Sequence, residues 1–314
     1  MLRVEVKRIN LSALCFVVVM ALMCSFFLMI HESDAGDYIE TIRSGFFLRQ
    51  YLLHVPTLYD RTKPTSLVLF FHAHSRTELE AAKITGLSEL ADQKNFIVVY
   101  PQGIDKSWND GRGRSSAERK GVNDVKFVKA LIEELTKKLN IDPKRIFASG
   151  RSNGAILTYR LPCELSEKIA AIAPVAGTMP EKFVSKCLKP IPLMLIHGTE
   201  DKIVPWNGGE AGGGRVLSAH ETINRWVMLN GCPTSPQITY EPDEDGNDGT
   251  RVRREAYGPC QKGSEVILYA VEGGGHTWPG GVEVFYLGPE SGRVCRDIKA
   301  SEIIWDFFEK HPKQ

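Results

Sequence analysis

Apolar positions follow two rhythms along this chain. Nearly continuous apolar runs read as strands buried on both faces: FFLRQYLLHV (46–55), SLVLFFH (66–72), NFIVVYP (95–101), RIFAS (145–149), IAAIAPVAG (169–177), IPLMLIHG (191–198) and EVILYAVEG (265–273). Between them a helical period takes over. VNDVKFVKALIEELTKKLN (122–140) places Val125, Val128, Leu131, Ile132 and Leu135 on one face, with Asn123 or Asp124 as its cap. SAHETINRWVMLNG (218–231) ends at a glycine, which suits a helix C-terminus, and SEIIWDFFEKH (301–311) supplies another helix. Strand and helix alternate from about residue 46, which predicts an α/β class with a doubly wound, mostly parallel sheet and helices on both faces. No internal repeat or Pro/Ser-rich linker interrupts it, so residues 36–314 are expected to form a single domain.

The start of the chain obeys neither rhythm. Arg3, Lys7 and Arg8 precede an uncharged run from Leu11 to Ile30, the order of a signal peptide's basic and apolar regions. Ser33 and Ala35 supply small residues for cleavage before Gly36, so residues 1–35 are expected to be a signal peptide. The run is also long enough to cross a bilayer, which makes an uncleaved anchor the alternative. In both cases the basic flank stays inside, and the remaining chain is secreted or periplasmic, touching membrane only if the segment is retained.

Charge narrows the partners. Lys and Arg (39) balance Asp and Glu (38), leaving no field to recruit nucleic acid and pointing to a small or neutral substrate. Of seven cysteines, Cys15 and Cys24 lie in the targeting segment. Cys232 and Cys260 flank PDEDGNDGT, which reads as a hairpin tip able to bring them together; Cys163 with Cys187 is the other economical pairing, leaving Cys295 unpaired. No Cys/His spacing suggests a metal, and glycine-rich NGGEAGGGR (207–215) lacks both nucleotide-binding patterns, so no cofactor is expected.

The chemistry centres on ASGRSNGA (148–155), a Gly-x-Ser-x-Gly pattern between a strand run and a helical stretch. A serine hydroxyl is a weak nucleophile at neutral pH, so Ser152 needs an imidazole to take its proton and a carboxylate to orient that imidazole. Four histidines follow it. His197 ends a strand and reads as structural, His220 sits on a helix, and His311 lies in the tail. His276 lies in VEGGGHTWPGG directly after the last strand, among glycines that permit close approach, and is the candidate base. LIHGTEDKIVP offers Glu200 and Asp201 as the acid, or simply a solvated turn.

Taken together, DPKRIFASGRSNGAILTYRLPCEL, IAAIAPVAGTMP, HGTEDKIVPWNGG, EGGGHTWPGG and YPQGIDKSWNDGRG closely resemble the secreted polyhydroxybutyrate depolymerase and feruloyl/acetylxylan esterase-like group of α/β-hydrolases, over roughly residues 48–311. The resemblance implies an α/β-hydrolase fold and a serine esterase working through an acyl-enzyme without metal or cofactor. Ser152 is then the nucleophile, Asp201 of the HGTxDxxVP pattern the acid, and His276 the base. It further implies an oxyanion hole built from the Asn153 N–H and an N–H of the loop after the second core strand. That loop departs from the group: FFHAHSRTELEAA carries Ala73 and His74 where glycine is usual. A backbone donor needs no glycine, so the His74 N–H is the expected second donor. Trp108, Trp278 and Trp206 are candidates to line the substrate cleft, with burial in the core as the alternative; Asp110 and Arg112 are placed to hold their loop by a salt bridge. The substrate class is a small or oligomeric ester, either hydroxybutyrate-type or feruloyl/acetyl. The rival readings are a serine peptidase of the same fold and a noncatalytic binding protein that retains it.

Overall fold

The buried apolar runs become the centre of a ten-stranded sheet in the computed structural model, which describes residues 35–113, 115–183, 189–282 and 289–314. The proposed signal segment and Cys187 lie outside the described residues. In chain order the strands are β1 (Gly36–Ser44), β2 (Phe47–Val55), β3 (Thr65–Phe71), β4 (Ile97–Pro101), β5 (Ile141–Arg151), β6 (Ala171–Val175), β7 (Leu193–Gly198), the ribbon β8 (Gly209–Glu210) and β9 (Arg215–Val216), β10 (Gln237–Tyr240), β11 (Arg251–Tyr257) and β12 (Val266–Glu272). The sheet order is β1-β2-β4-β3-β5-β6-β7-β12-β11-β10. Its six central strands, β4 to β12, run parallel, and antiparallel pairs finish both edges. Every residue of β3, β4, β6 and β7 is buried, as a sheet covered on both faces requires.

The covering helices are α1 (Glu78–Thr85), α2 (Leu87–Lys94), α3 (Ser116–Arg119), α4 (Asp124–Lys138), α5 (Asn153–Thr158), α6 (Arg160–Glu164), α7 (Ala219–Asn230) and α8 (Ala300–Lys310). Helix α4 buries the predicted stripe of Val125, Val128, Leu131, Ile132 and Leu135, and the Asn123 side chain caps it by accepting the Lys126 N–H. Helix α7 ends at Gly231 in the left-handed conformation, φ 59°. The stripes of α4 and α7 fill one hydrophobic core, and those of α1, α2 and α8 fill a second on the opposite face. Gly36–Gln314 cluster as one compact unit.

Two edge features were not signalled by apolar runs. β1 is mostly polar and half-exposed, and all four residues of β10 are exposed, so neither carries the buried-strand pattern. The hairpin of β10 and β11 does join Cys232 to Cys260 in a disulfide. Cys295 is a buried free thiol. The glycine-rich 207–215 stretch closes the β8–β9 ribbon.

Candidate active site

The loops that follow β3, β5, β7 and β12 all leave the carboxyl ends of neighbouring parallel strands, where open α/β sheets bind ligands. Ser152 sits between β5 and α5 at φ 57°, ψ −121°, a conformation that costs a non-glycine residue about 1–3 kcal/mol and is found at sharp functional turns. Its N–H donates to Val175 O at 3.0 Å and its carbonyl accepts from Ile156 N–H at 2.9 Å, which fixes the turn. The flanking glycines follow from packing. A Cβ on Gly154 would collide with the carbonyl oxygens of Phe71 and His72, because α5 is pressed against the end of β3.

Acid and base meet across β7 and β12. The Asp201 Oδ2 accepts a hydrogen bond from the His276 Nδ1–H at 2.7 Å, with both side chains buried. Its Oδ1 accepts the N–H groups of Ile203 (2.9 Å) and Val204 (2.8 Å), which sets the carboxylate's angle. Glu200, the other carboxylate of the pair, faces solvent and pairs with Arg293 at 3.2 Å. The acid and base loops are themselves joined, Glu200 N–H to Gly274 O (2.9 Å) and Gly273 N–H to the Thr199 hydroxyl (3.0 Å). Behind the base, the His276 N–H donates to Ser291 O at 2.6 Å. Burial pushes the His276 imidazole below its ordinary pKa, against the upward pull of Asp201. Burial alone would raise Asp201, but the hydrogen bond and charge of His276 bring it below the usual carboxylate value. His197 has the structural role its position suggested: Nε2–H donates to Val204 O at 3.0 Å, and burial keeps the ring neutral.

Loop 72–76 follows β3. The Ser75 N–H donates to Lys106 O (2.8 Å) and the Arg76 N–H to Ala73 O (3.1 Å), which leaves the amides of Ala73 and His74 for another acceptor. The His74 ring is exposed and reaches Ser75 Oγ at 2.8 Å. His72, not singled out by the sequence, anchors the loop. Its Nδ1–H donates to Ala73 O (2.8 Å) while Nε2 accepts from Gly103 N–H (2.9 Å), a pairing that fixes the tautomer. Burial takes its pKa down to about 4, so it stays neutral.

The three tryptophans divide. Trp108 is fully buried and serves as scaffold rather than cleft wall: its indole N–H donates to His72 O (2.8 Å) and its backbone N–H to Asn153 Oδ1 (2.9 Å). Trp278 is buried too, edge-on to Phe70 at 5.3 Å between centroids. Both corrections have one cause, since an indole suits a core as well as a cleft. Trp206 keeps a partly exposed face and packs beside His197 and His220. Asp110 and Arg112 form the predicted salt bridge at 2.6 Å, and Asp110 also accepts from Asn153 Nδ2, so the residue after the nucleophile is locked by its side chain. Among the described residues, Asp248, Cys295 and Asp297 lie within 4.8 Å of one another. Asp248 accepts the N–H groups of Thr250 and Arg296 (both 2.7 Å), and Asp297 those of Glu244 (3.0 Å) and Asp245 (3.2 Å), which ties two loops together.

Comparison with known proteins bears on the family and the fold. Residues 60–224, more than half of the chain, match the phospholipase/carboxylesterase family. Feruloyl esterase B of Piromyces equi is 30% identical over 244 residues, 73% of this chain and 42% of that protein. Feruloyl esterase C of Emericella nidulans is 27% identical over 268 residues, 83% of each chain. This chain thus spans less than half of the first relative and most of the second. An acetyl xylan esterase from Aspergillus awamori superposes with a TM-score of 0.57 at 14% identity, over 87% of this chain and 99% of that one, a likeness of fold alone.

Proposed function

The chain belongs to the phospholipase/carboxylesterase family of α/β-hydrolases, and from that premise we propose that it hydrolyses carboxylic esters as an exported serine esterase with Ser152 as nucleophile, His276 as base and Asp201 as acid. The buried Asp201–His276 hydrogen bond carries this reading, because it selects one carboxylate of two and fixes the imidazole tautomer. With Nδ1 committed to Asp201, Nε2 holds the lone pair that takes the Ser152 proton as the hydroxyl attacks the ester carbonyl. The oxyanion is held by the Asn153 N–H, at the start of α5 where helical amides lack partners, and by an N–H of Ala73 or His74. Protonated His276 then gives its proton to the leaving alcohol, and an acyl-Ser152 remains. Water, deprotonated by the same Nε2, releases the acid and restores the serine.

The relatives' names favour feruloyl esters as the substrate class, the sequence resemblance adds acetyl esters, and the polyhydroxybutyrate part of the resemblance has no counterpart among the relatives reported above. Trp206, which keeps a partly exposed face, is the candidate aromatic contact for such a substrate. Export rests on the basic-then-apolar order of residues 3–30 and on the Cys232–Cys260 disulfide, which persists in an oxidising compartment. Residues 36–314 form the catalytic domain in this reading. A fluorophosphonate probe tests the nucleophile: one adduct on Ser152 by peptide mass, absent after unfolding, is expected, and an unlabelled folded protein rejects it. Methyl ferulate and acetylated xylo-oligosaccharides are expected to exceed hydroxybutyrate oligomers in kcat/KM, and the reverse order moves the substrate class.

A further inference from the structure

Arg151, the residue before the nucleophile, is 4% exposed and forms no ion pair within 4 Å among the described residues. Burying an unpaired guanidinium costs several kcal/mol, yet burial takes its pKa down only to about 10, which leaves it charged at neutral pH. Its Nε has no hydrogen-bond partner. Its terminal NH2 donates to a single oxygen, the carbonyl of His276. Arg151 lines a small cavity together with Phe70, His72, Ala73, Arg76 and Ile84, so it borders the loop after β3 as well as the base's loop.

We propose that Arg151 is a positioning residue of this reaction: its guanidinium, bonded to the His276 carbonyl, holds the base against the elbow and places a positive charge beside the imidazole. The inference rests on the esterase reading for its catalytic consequence but not for its geometry. The charged and titratable groups facing His276 are Asp201 from the loop after β7, His197 on β7, Arg112 from the loop after β4, and Arg151 from β5. Arg151 in turn faces Arg76 and Asp201. Asp201 favours the imidazolium, while Arg151 and Arg112 oppose it. Burial is the main force that lowers the His276 pKa; Arg151 adds to it, and Asp201 supports the charge once it forms. The single hydrogen bond supplies the geometry, and the charge sets the protonation state.

The two contributions separate in two variants. Arg151→Lys keeps the charge and loses the forked donor; Arg151→Gln keeps an amide donor and loses the charge. The His276 ring signals, assigned by their absence in His276→Gln, are followed against pH by NMR, alongside kcat and KM for a short aryl ester. Arg151→Gln is expected to raise the His276 titration midpoint by about one unit, the effect of removing one nearby like charge, and to move the acid limb of kcat/KM up with it. Arg151→Lys is expected to leave the midpoint near wild type while lowering kcat roughly tenfold at little changed KM, the signature of a displaced base. A folded Arg151→Gln protein whose His276 midpoint has not moved overturns the proposal, as does an Arg151→Lys protein whose midpoint rises equally. The titration needs no turnover, so its failure is distinct from failure of the esterase reading, which shows instead as undiminished hydrolysis without the Ser152 hydroxyl.

Discussion

In the proposed mechanism His276 must be neutral to accept the Ser152 proton, and burial holds its pKa below the ordinary histidine value, against the pull of Asp201. kcat/KM is therefore expected to be flat through pH 7 and to fall on an acid limb whose midpoint lies below 6.5, since protonation of the base removes activity. A limb centred above 7 contradicts the burial of this imidazole. The two neighbouring carboxylates give a second contrast. Asp201→Asn is expected to lower kcat by about 10³- to 10⁴-fold through the wrong imidazole tautomer, whereas Glu200→Gln breaks only an exposed ion pair and is expected to leave kcat within about twofold. At this scale the Asp201–His276 pair and the sharp turn at Ser152 were legible because each lies in a local motif at a strand end. Choosing Asp201 over Glu200 needed the family pattern. His72 was illegible because its partner Gly103 lies 31 residues away, and Trp108 stayed open between core and cleft because nothing in SWNDGR distinguishes a buried indole from a cleft wall.

Elements were readable in proportion to their burial. The parallel strands announce themselves as apolar runs, and α4 as a 3.6-residue stripe, because both faces or one full stripe must be hidden. Edge strands answer to different constraints. β1 pairs with β2 over nine residues but mixes polar and apolar side chains without a buried face, and its register comes from the neighbour rather than from its own composition. β5 starts at Ile141, four residues before its apolar run, because Asp142–Lys144 are polar or exposed at the sheet's end. The hairpin of β10 and β11 was found through its cysteines. Replacing both, Cys232→Ser with Cys260→Ser, opens a link of 28 residues in sequence separation and is expected to cost about 2–4 kcal/mol by denaturant unfolding. Activity at 25 °C is expected to stay within about threefold, because the hairpin borders β12 on the sheet's outer edge rather than the elbow. A loss of activity without loss of stability would show that this edge shapes the site.

For the whole molecule, the sheet does what the alternation of strand and helix predicts: it brings four chain-distant loops to the carboxyl ends of its parallel strands, so that residues 73–74, 151–153, 201 and 276 share one end of the sheet. The network around them is continuous. Arg49 pairs with Asp124 at 2.7 Å, Asp124 accepts the Asn109 N–H at 2.7 Å, and the loop so fixed carries Trp108 to both His72 and Asn153. The loop after β3 can therefore depart from glycine without losing its support, because its position is set by His72 and Trp108 from behind.

The most direct test of the central claim is kcat/KM for p-nitrophenyl acetate in the wild-type protein and in a Ser152→Ala variant shown to be folded by circular dichroism. Loss of the nucleophile is expected to lower it by about 10⁴-fold or more, with residual turnover from the oxyanion donors and binding alone. Full activity in the folded variant contradicts the assignment of Ser152 and, with it, the mechanism built on the elbow.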